Sequence, residues 1–266
     1  MSSIGNSSGA KNMSDFFEQI DKIGFCTIEN VVPLDLVSRL KGDLLKAIEQ
    51  EVEYHKTRNY PDYPMVLFCP LYGQSFVELL ECGDFMAPVE AVMGKNCILY
   101  SYTSTSMPPG KGNYASRIHN DCNHTIPLDY ITKFQTLVAL DDFTLENGAT
   151  YILPGSHRLQ GPPSSEEFYR DAVRLTMKAG SVWYAHAKLW HAGGTNTTNN
   201  WRHGVTTVYC RSYMKQRIDV PKLMHGRSSQ LSAGALQKLG FLAQVPESYD
   251  EYYAPADKRK FRQPLE

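Results

Sequence analysis

The amino-acid sequence predicts a mainly β fold with flanking helices, built as a sandwich, jelly roll or barrel. From about residue 96 to 213, short runs rich in β-branched and aromatic residues alternate with turn residues roughly every ten positions. Before and after that stretch, apolar residues recur at helical spacing. Many short strands of this kind argue against a parallel α/β sheet. We therefore expect helices packed against one β core.

The N-terminal part predicts a helix followed by a short strand. Phe16, Phe17, Ile20 and Ile23 recur at helical spacing, and Gly24 follows at a position suited to a helix end. The run FCTIENVV that comes next has the composition of a strand.

A second, long helix is predicted after Pro33, a residue suited to a first helical turn. Its predicted apolar face consists of Leu34, Val37, Leu40, Leu44, Leu45 and Ile48. The segment 55–75 has no regular pattern, and residues 75–93 predict one or two short helices.

Five runs in the central part have the composition of strands: CILYSYTSTS, KFQTLVALDDF, TYILP, SVWYAH and RHGVTTVYCRSYM. Glu146-Asn147-Gly148 lies between the second and third runs and predicts a hairpin. The turn GGTNTTNN before the last run predicts another hairpin. Further on, SSQLSAGALQKLGF predicts one more helix.

The predicted organisation is one domain with a disordered start. Residues 1–12 are rich in serine, glycine and asparagine, which predicts disorder. Residues 13–266 are expected to form one domain, since no linker interrupts them. Its predicted parts are helices over 13–93, a β core over about 96–213, and a C-terminal helix and tail over 214–266.

Composition argues against several classes of partner. The chain has 266 residues and a net charge of −1, so no strong field attracts nucleic acid or an anionic membrane. No apolar run reaches the roughly 18 to 20 residues of a membrane span. Six scattered cysteines form no Cys-x-x-Cys pair, and no secretory signal is recognisable. These features indicate reduced thiols in a cytoplasmic protein. The oligomeric state, with a homodimer as one option, stays open.

Candidate metal ligands lie in the run RIHNDCNHT. His119 and Asp121 have the same parity, so on an extended segment both side chains point to one face. His191, far along the chain in LWHAGG, adds a second imidazole after a strand-like run. Two imidazoles and one carboxylate form the facial triad of non-haem Fe(II) oxygenases, which leaves coordination positions open for a cosubstrate and O₂.

Arg202 begins the last strand-like run. The predicted hairpin between His191 and Arg202 would bring its guanidinium near the metal. Arginine holds a carboxylate through two parallel charge-assisted hydrogen bonds. A dicarboxylic 2-oxo acid could therefore chelate iron at one end and bind Arg202 at the other.

The pattern His119-x-Asp121, the stretch QTLVALDDFTLENGATYILPGSHR, and His191 followed by Arg202 resemble the phytanoyl-CoA dioxygenase family over about residues 96–213. The resemblance implies a double-stranded β-helix core of the jelly-roll, cupin-like type. It implies an Fe(II)- and 2-oxoglutarate-dependent dioxygenase that oxidises an unactivated C–H of a small molecule and releases succinate and CO₂. The ENGAT form is similar to the branch that acts in natural-product biosynthesis.

The resemblance also implies cosubstrate contacts. Arg202 would bind the distal carboxylate of 2-oxoglutarate, helped by Thr150 and Gln135. Gly193 departs from family members that have a small polar residue at its position. Two residues are candidates for the missing contact: Thr195 and Thr206. Because Asp121 is present where related halogenases have a small residue, we expect hydroxylation, desaturation, epimerisation or cyclisation and no halogenation.

Substrate contacts are predicted beside the ligands, at Asn120, Cys122, Asn123 and His124, and in the loops 55–75, 104–118 and 158–172. His124 is not expected to bind iron, since a fourth ligand would close a position that catalysis needs. Two alternatives stay open: a phytanoyl-CoA-type hydroxylase of an acyl thioester, and a non-catalytic cupin-like protein that binds a metal or ligand. A structural zinc site is disfavoured because no cysteine has ligand spacing.

Overall fold

Two antiparallel sheets form the centre of the molecule, in a computed structural model that describes residues 12–58, 64–122 and 130–259. The strands are β1 (Phe25–Ile28), β2 (Ile98–Ser104), β3 (Lys133–Ala139), β4 (Thr150–Ile152), β5 (Val173–Leu175), β6 (Val182–His186), β7 (His191–Ala192) and β8 (Gly204–Cys210). One sheet has the order β1-β6-β3-β8-β2 and the other the order β5-β4-β7. This arrangement is consistent with the predicted jelly roll.

Helices lie mainly before and after the sheets. They are α1 (Met13–Ile23), α2 (Leu34–Thr57), α3 (Gln74–Glu81), α4 (Gly83–Met93), α5 (Ser165–Asp171), α6 (Val220–Leu223), α7 (Ala233–Lys238) and α8 (Tyr249–Tyr252). Helical residues make up 39% and strand residues 19% of the structure. The prediction of a mainly β fold therefore fits the two sheets and understates the helices around them.

The two N-terminal helices are confirmed, with one difference in the buried face of α2. Helix α1 ends at Gly24, whose φ of 87° is in the left-handed region that glycine tolerates. Helix α2 follows Pro33 as predicted. Leu34 and Leu45 are 68% and 43% exposed, so they do not belong to the predicted apolar face. The buried residues of α2 are Leu36, Val37, Leu40, Leu44, Ala47 and His55.

One face of the five-stranded sheet is covered by α1 to α4. Phe16 of α1 makes edge-to-face contacts with Phe134 of β3 and Tyr184 of β6, with ring centroids 6.4 and 5.8 Å apart. Phe76 of α3 contacts Tyr102 of β2 in the same way, at 5.8 Å. These rings belong to one large apolar cluster. Aromatic burial of this kind fixes the helices on the sheet and leaves its other face to the smaller sheet.

The opposite, inner face of that sheet carries both apolar and polar side chains. Because side chains alternate along a strand, Gln135 and Leu137 of β3 share this face. Their register partners on β8 are Val208 and Thr206. Leu137 packs with Trp183 of β6 in a second apolar cluster between the sheets. The inner face is thus apolar at one end and polar beside it, and the cavity forms at the polar part.

Both predicted hairpins are wrong. Glu146-Asn147-Gly148 joins β3 to β4, and these strands lie in different sheets. The side chain of Asn147 accepts a hydrogen bond from the Thr144 N–H at 2.8 Å, and Gly148 has a φ of 86°, so the residues do form a turn. The turn GGTNTTNN likewise joins β7 to β8 across the two sheets. The turn chemistry is readable from these residues, but the partner strands are not.

Helix α5 lies inside the segment 158–172, which the sequence pattern predicts to be a loop. It begins at Ser164, whose side chain accepts from the Glu167 N–H, while the Glu167 carboxylate accepts from the Ser164 N–H. This capping box is visible as Ser-x-x-Glu in the sequence and would have predicted the helix. Strands β5 and β7, three and two residues long, have no comparable signal.

Several other predictions concern the chain as a whole. All six cysteines are free, as expected. Within the described ranges, no helix combines the length and apolar composition needed to cross a bilayer. The predicted disorder of residues 1–12 concerns residues that, apart from Asn12, lie outside the described part. The prediction of a single domain over 13–266 stays a prediction.

Two glycines give a pair of stability tests with opposite expected signs. Gly180 has a φ of 85°, and a Cβ there would lie 2.7 Å from the Val32 carbonyl oxygen, so Gly180→Ala should lower the free energy of unfolding by about 2 kcal/mol. Gly42 lies in α2, and a Cβ added to it would meet nothing within 4 Å, so Gly42→Ala should raise that free energy by about 0.5–1 kcal/mol. Urea unfolding of both variants checks these opposite signs.

Candidate metal centre and adjoining cavity

His119 and His191 lie side by side on neighbouring extended segments. The backbone N–H of each donates to the carbonyl of the other, at 3.0 and 2.9 Å. Their ring centroids are 4.3 Å apart. His191 begins β7, which pairs with β4 of the smaller sheet, and His119 extends this sheet by one bridge. Backbone pairing therefore brings together two residues that are distant in the sequence.

Both imidazoles present Nε2 as their unprotonated nitrogen. His119 Nδ1 donates to the Arg117 carbonyl at 2.8 Å, and His191 Nδ1 donates to the Leu189 carbonyl at 2.9 Å. Because a carbonyl only accepts, each neutral ring carries its proton on Nδ1 and its lone pair on Nε2. Burial, and next the charge of His191, lower the pKa of His119 to about 4. His119 is therefore neutral at neutral pH, the state in which imidazole binds a metal.

Asp121 completes a cluster of three ligand-type side chains. Its Oδ2 lies 3.7 Å from His191 Nε2, and one donor atom from each of His119, Asp121 and His191 lies within 4.8 Å of the others. The Asp121 N–H donates to the Ala187 carbonyl at 2.8 Å, which fixes the backbone of the loop. The Asp121 side chain is 33% exposed and that of His191 only 11%. The cluster is thus closed around His191 and open at Asp121.

The open side is a cavity of about 160 Å³ between the two sheets. Arg202 lines it and is only 2% exposed. Its position depends on backbone pairing with Met107, in which the two N–H groups donate to the opposite carbonyls at 2.7 and 3.1 Å. The guanidinium carbon lies 3.9 Å from the centroid of the Phe143 ring. The pairing with Met107 therefore places Arg202 in the cavity, and the predicted hairpin with β7 plays no part in it.

Buried polar atoms without partners converge on this cavity. Arg202 Nε and Nη1, and both amide atoms of Gln135, have no hydrogen-bond partner among the described residues, and Gln135 is 0% exposed. Burial lowers the pKa of Arg202 to about 10, so it remains charged at neutral pH. Buried polar groups of native proteins are nearly always satisfied. A carboxylate that contacts Arg202 would satisfy them, which is what a bound 2-oxo dicarboxylic acid supplies.

Three further residues of the predicted cosubstrate site have different outcomes. Thr150, on β4, and Thr206, on β8, both line the cavity. Thr195 is exposed and does not line it, so Thr206 is the better placed of the two candidates for the missing contact. Gly193 also lines the cavity, and a Cβ there would lie 3.0 Å from the flexible end of Met107.

The predicted substrate residues of the ligand loop that the structure describes do not line the cavity. Asn120 Oδ1 accepts from the Cys122 N–H at 3.1 Å, so its side chain shapes the turn that carries Asp121. Cys122 is 4% exposed, with its sulfur 3.8 Å from the Thr132 hydroxyl. Asn123 and His124 lie outside the described residues.

Trp183 and Arg217 are among the cavity residues that the sequence does not place in the site. Trp183 lines the cavity with its ring 5.7 Å from the His191 ring, although a tryptophan in a strand ordinarily indicates packing alone. Its parity on β6 is the available signal. Arg217 also lines the cavity, and its backbone N–H donates to the Tyr100 carbonyl at 3.0 Å. It follows the last strand, and nothing in the sequence around it indicates this contact.

Comparisons with known proteins identify the family. A family model, phytanoyl-CoA dioxygenase, matches residues 20–204, which is more than half of the chain. The chain belongs to the phytanoyl-CoA dioxygenase family. It is therefore a non-haem enzyme of the oxygenase type that depends on iron and 2-oxoglutarate. The donor set and the unsatisfied atoms around Arg202 and Gln135 fit these two groups.

Individual proteins are also similar to this chain. A protein of Mycobacterium tuberculosis is 27% identical over 254 residues, 92% of this chain and 93% of that protein. An iron/alpha-ketoglutarate-dependent dioxygenase of Penicillium thymicola, penM, is 25% identical over 209 residues, 72% of this chain and 65% of the relative. A solved structure, the non-heme alpha ketoglutarate dependent carbocyclase SnoK, aligns with a TM-score of 0.61 at 19% identity, over 86% of this chain and 95% of its own. SnoK shows the shared fold.

Proposed function

We propose that this phytanoyl-CoA dioxygenase family member oxidises an unactivated C–H of a small molecule in natural-product biosynthesis. One observation carries the proposal: a cluster of two histidines and an aspartate shares a cavity with a buried arginine that has unsatisfied N–H groups. This is the combination that chelation of 2-oxoglutarate on iron requires. The two sheets would then be the layers of a double-stranded β-helix.

In the proposed site, His119, Asp121 and His191 hold the iron. Arg202 binds the distal carboxylate of 2-oxoglutarate, and Gln135 donates a hydrogen bond to the same cosubstrate. Thr150 and Thr206 offer two hydroxyl groups on the same cavity wall. Iron and 2-oxoglutarate, when bound, supply the activation of O₂ that removes hydrogen from the substrate, with succinate and CO₂ as the other products.

The chain's own contribution is ligation, orientation and exclusion of water. Leu137 and Trp183 cover the cavity wall beside the ligands and are 5% and 2% exposed. This apolar wall keeps bulk water from the reacting centre. Because Asp121 supplies a carboxylate ligand, the proposed outcome is hydroxylation, desaturation, epimerisation or cyclisation. Detection of a chlorinated product from the purified enzyme would contradict this.

The choice of a natural-product substrate is supported by SnoK, which is named as a carbocyclase from nogalamycin biosynthesis. A free small molecule is favoured over an acyl thioester because no long basic run is available to hold a coenzyme A handle. The cytoplasmic location and the oligomeric state stay predictions.

Anaerobic spectroscopy tests the proposed function. Purified protein is loaded with Fe(II) and 2-oxoglutarate without O₂, and the weak visible charge-transfer band of the chelate is recorded. We expect the band in the wild-type protein and its loss in His191→Ala. Folded protein that shows no band after loading, or a band unchanged in His191→Ala, would rule out the proposed site. Succinate release after admission of O₂ then provides the assay for a substrate screen.

Gln135 allows a separate test of the cosubstrate contacts. Gln135→Leu removes the buried amide at similar volume, and one hydrogen bond to a charged group corresponds to about a tenfold change in affinity. We therefore expect the dissociation constant for 2-oxoglutarate to rise about tenfold while iron binding is unchanged. Titration of the chelate band measures this. Gln50→Leu, the same change at an exposed position of α2, should leave the constant unaltered.

A further inference from the structure

Two further cations, Lys133 and Arg217, lie at the inner side of the large sheet, near the start of β3. Lys133 has the parity of Gln135 and Leu137, so it lies on the same face of β3, next to the residues that line the cavity. Its ammonium nitrogen lies 3.7 Å from the centroid of the Tyr100 ring. Arg217 lines the cavity, and its backbone N–H donates to the carbonyl of Tyr100. Tyr100 therefore connects the two cations.

The burial of Lys133 is the unexplained feature. It is 4% exposed, and within the described part of the chain its ammonium has a ring contact and no carbonyl or carboxylate partner. Lys238, which is 3% exposed, differs: it contacts the Glu90 carboxylate at 2.8 Å and the Lys95 carbonyl at 2.7 Å. A buried ammonium needs such partners, and a cation–π contact replaces them only in part.

The charges of the cavity wall point to an anionic ligand. Neither Lys133 nor Arg217 has a carboxylate within 4.0 Å among the residues described. Asp121 is the one acidic residue that lines the described cavity wall, and under the proposed function it binds iron. Arg202 is likewise assigned to 2-oxoglutarate. With metal and cosubstrate bound, the buried Lys133 would still have no counter-charge. Arg217 is exposed at the cavity edge and can add a second cation to the same anion.

We propose that Lys133 and Arg217 bind a carboxylate of the substrate, so that this enzyme acts on an organic acid. This inference rests on the proposed function, because it assigns Asp121 and Arg202 to other groups. The guanidinium of Arg217 can donate two parallel bonds to a carboxylate, and the Lys133 ammonium can add a third. A carboxylate fixed there sets which carbon of the substrate faces the ligand cluster.

Ligand-induced stabilisation tests the proposal. The protein is loaded anaerobically with Fe(II) and 2-oxoglutarate, and its unfolding midpoint is followed against aromatic, fatty and terpenoid carboxylic acids, including benzoic, decanoic and abietic acids. Each acid is paired with its primary amide and, where one can be made, its phosphate-ester analogue. We expect at least one acid to raise the midpoint in a saturable way, while its amide and phosphate analogues do not.

Substitutions locate the effect. In Lys133→Met and Arg217→Gln, the dissociation constant of that acid should rise about ten- to a hundredfold, as expected for loss of a charge-assisted bond. Lys215→Gln removes an exposed charge from the same loop as Arg217 and should change nothing. The proposal is overturned if no acid in the panel stabilises the protein, if amides or phosphates bind equally well, or if acid binding survives both substitutions. A chelate band retained in every variant shows that the proposed function stands regardless.

Discussion

His191→Asn is expected to abolish iron binding and, with it, the turnover of 2-oxoglutarate. The substitution removes one of three clustered ligand atoms while keeping a polar side chain of smaller size. Groups that merely orient a metal ligand contribute about 10- to 100-fold to metal affinity, so loss of the ligand itself should weaken Fe(II) binding more than about a hundredfold. Iron content after anaerobic loading and desalting measures this directly, and the chelate band confirms it.

His186→Asn is the matched control, because it makes the same change in the same part of the chain. His186 is 6% exposed and His191 is 9% exposed, so both are buried. His186 lies outside the ligand cluster, where its Nδ1 accepts from the Lys188 N–H at 3.0 Å and its ring lies 5.4 Å from that of His157. An asparagine amide oxygen can accept the same bond. Iron binding should persist in this variant, and equal losses in both variants would refute the ligand assignment.

The ligand cluster shows what sequence alone can predict about a site. The parity of His119 and Asp121 is a local property that predicts both side chains on one face of an extended segment. In the structure only His119 has extended pairing, and Asp121 lies in the turn that Asn120 shapes. His191 enters the prediction on its chemistry, because an imidazole completes the ligand set. The structure brings it next to His119 through a two-way backbone bridge. Such pairing depends on the whole sheet and has no local signature.

Arg202 lines the cavity through a contact other than the hairpin that the sequence predicts. The sequence places it near the metal by a hairpin between β7 and β8, whereas those strands lie in different sheets. Turn residues determine that the chain reverses, but the packing of both sheets determines which strand it then joins. The contact that positions Arg202 is with Met107, a residue to which no pattern draws attention.

Helices are easier to predict than short strands for a physical reason. Helices α1 and α2 repeat their apolar spacing over 11 and 24 residues, so the signal accumulates. Strand β7 has two residues, and its existence depends on partners elsewhere in the chain. The burial of Lys133 could not be predicted either, since a lysine at the start of a strand is ordinarily exposed.

Arg202→Met is expected to have two effects of opposite sign. In protein without metal or cosubstrate, the substitution replaces a buried cation with unsatisfied N–H groups by an apolar side chain. The Phe143 ring at 3.9 Å and the charges of Tyr114 and Asp141 compensate that cation only in part. Replacing buried charges in this way commonly raises stability by about 1–4 kcal/mol. We expect a gain near the lower end of this range, measured by urea unfolding. The dissociation constant for 2-oxoglutarate should rise about a hundredfold or more, because one partner of a buried charge pair is lost.

Arg211→Met separates this result from a general effect of removing arginine. Arg211 follows β8 at its far end, outside the cavity lining, and donates to the Met93 carbonyl at 2.8 Å. Its replacement should lower stability, because the hydrogen bond is lost, and leave 2-oxoglutarate binding unchanged. If Arg202 is positioned to bind an anionic ligand, Arg202→Met alone should combine a gain in stability with a loss of affinity for 2-oxoglutarate. If Arg202→Met instead destabilises the ligand-free protein and binds 2-oxoglutarate normally, Arg202 is a structural residue and the cosubstrate must bind elsewhere.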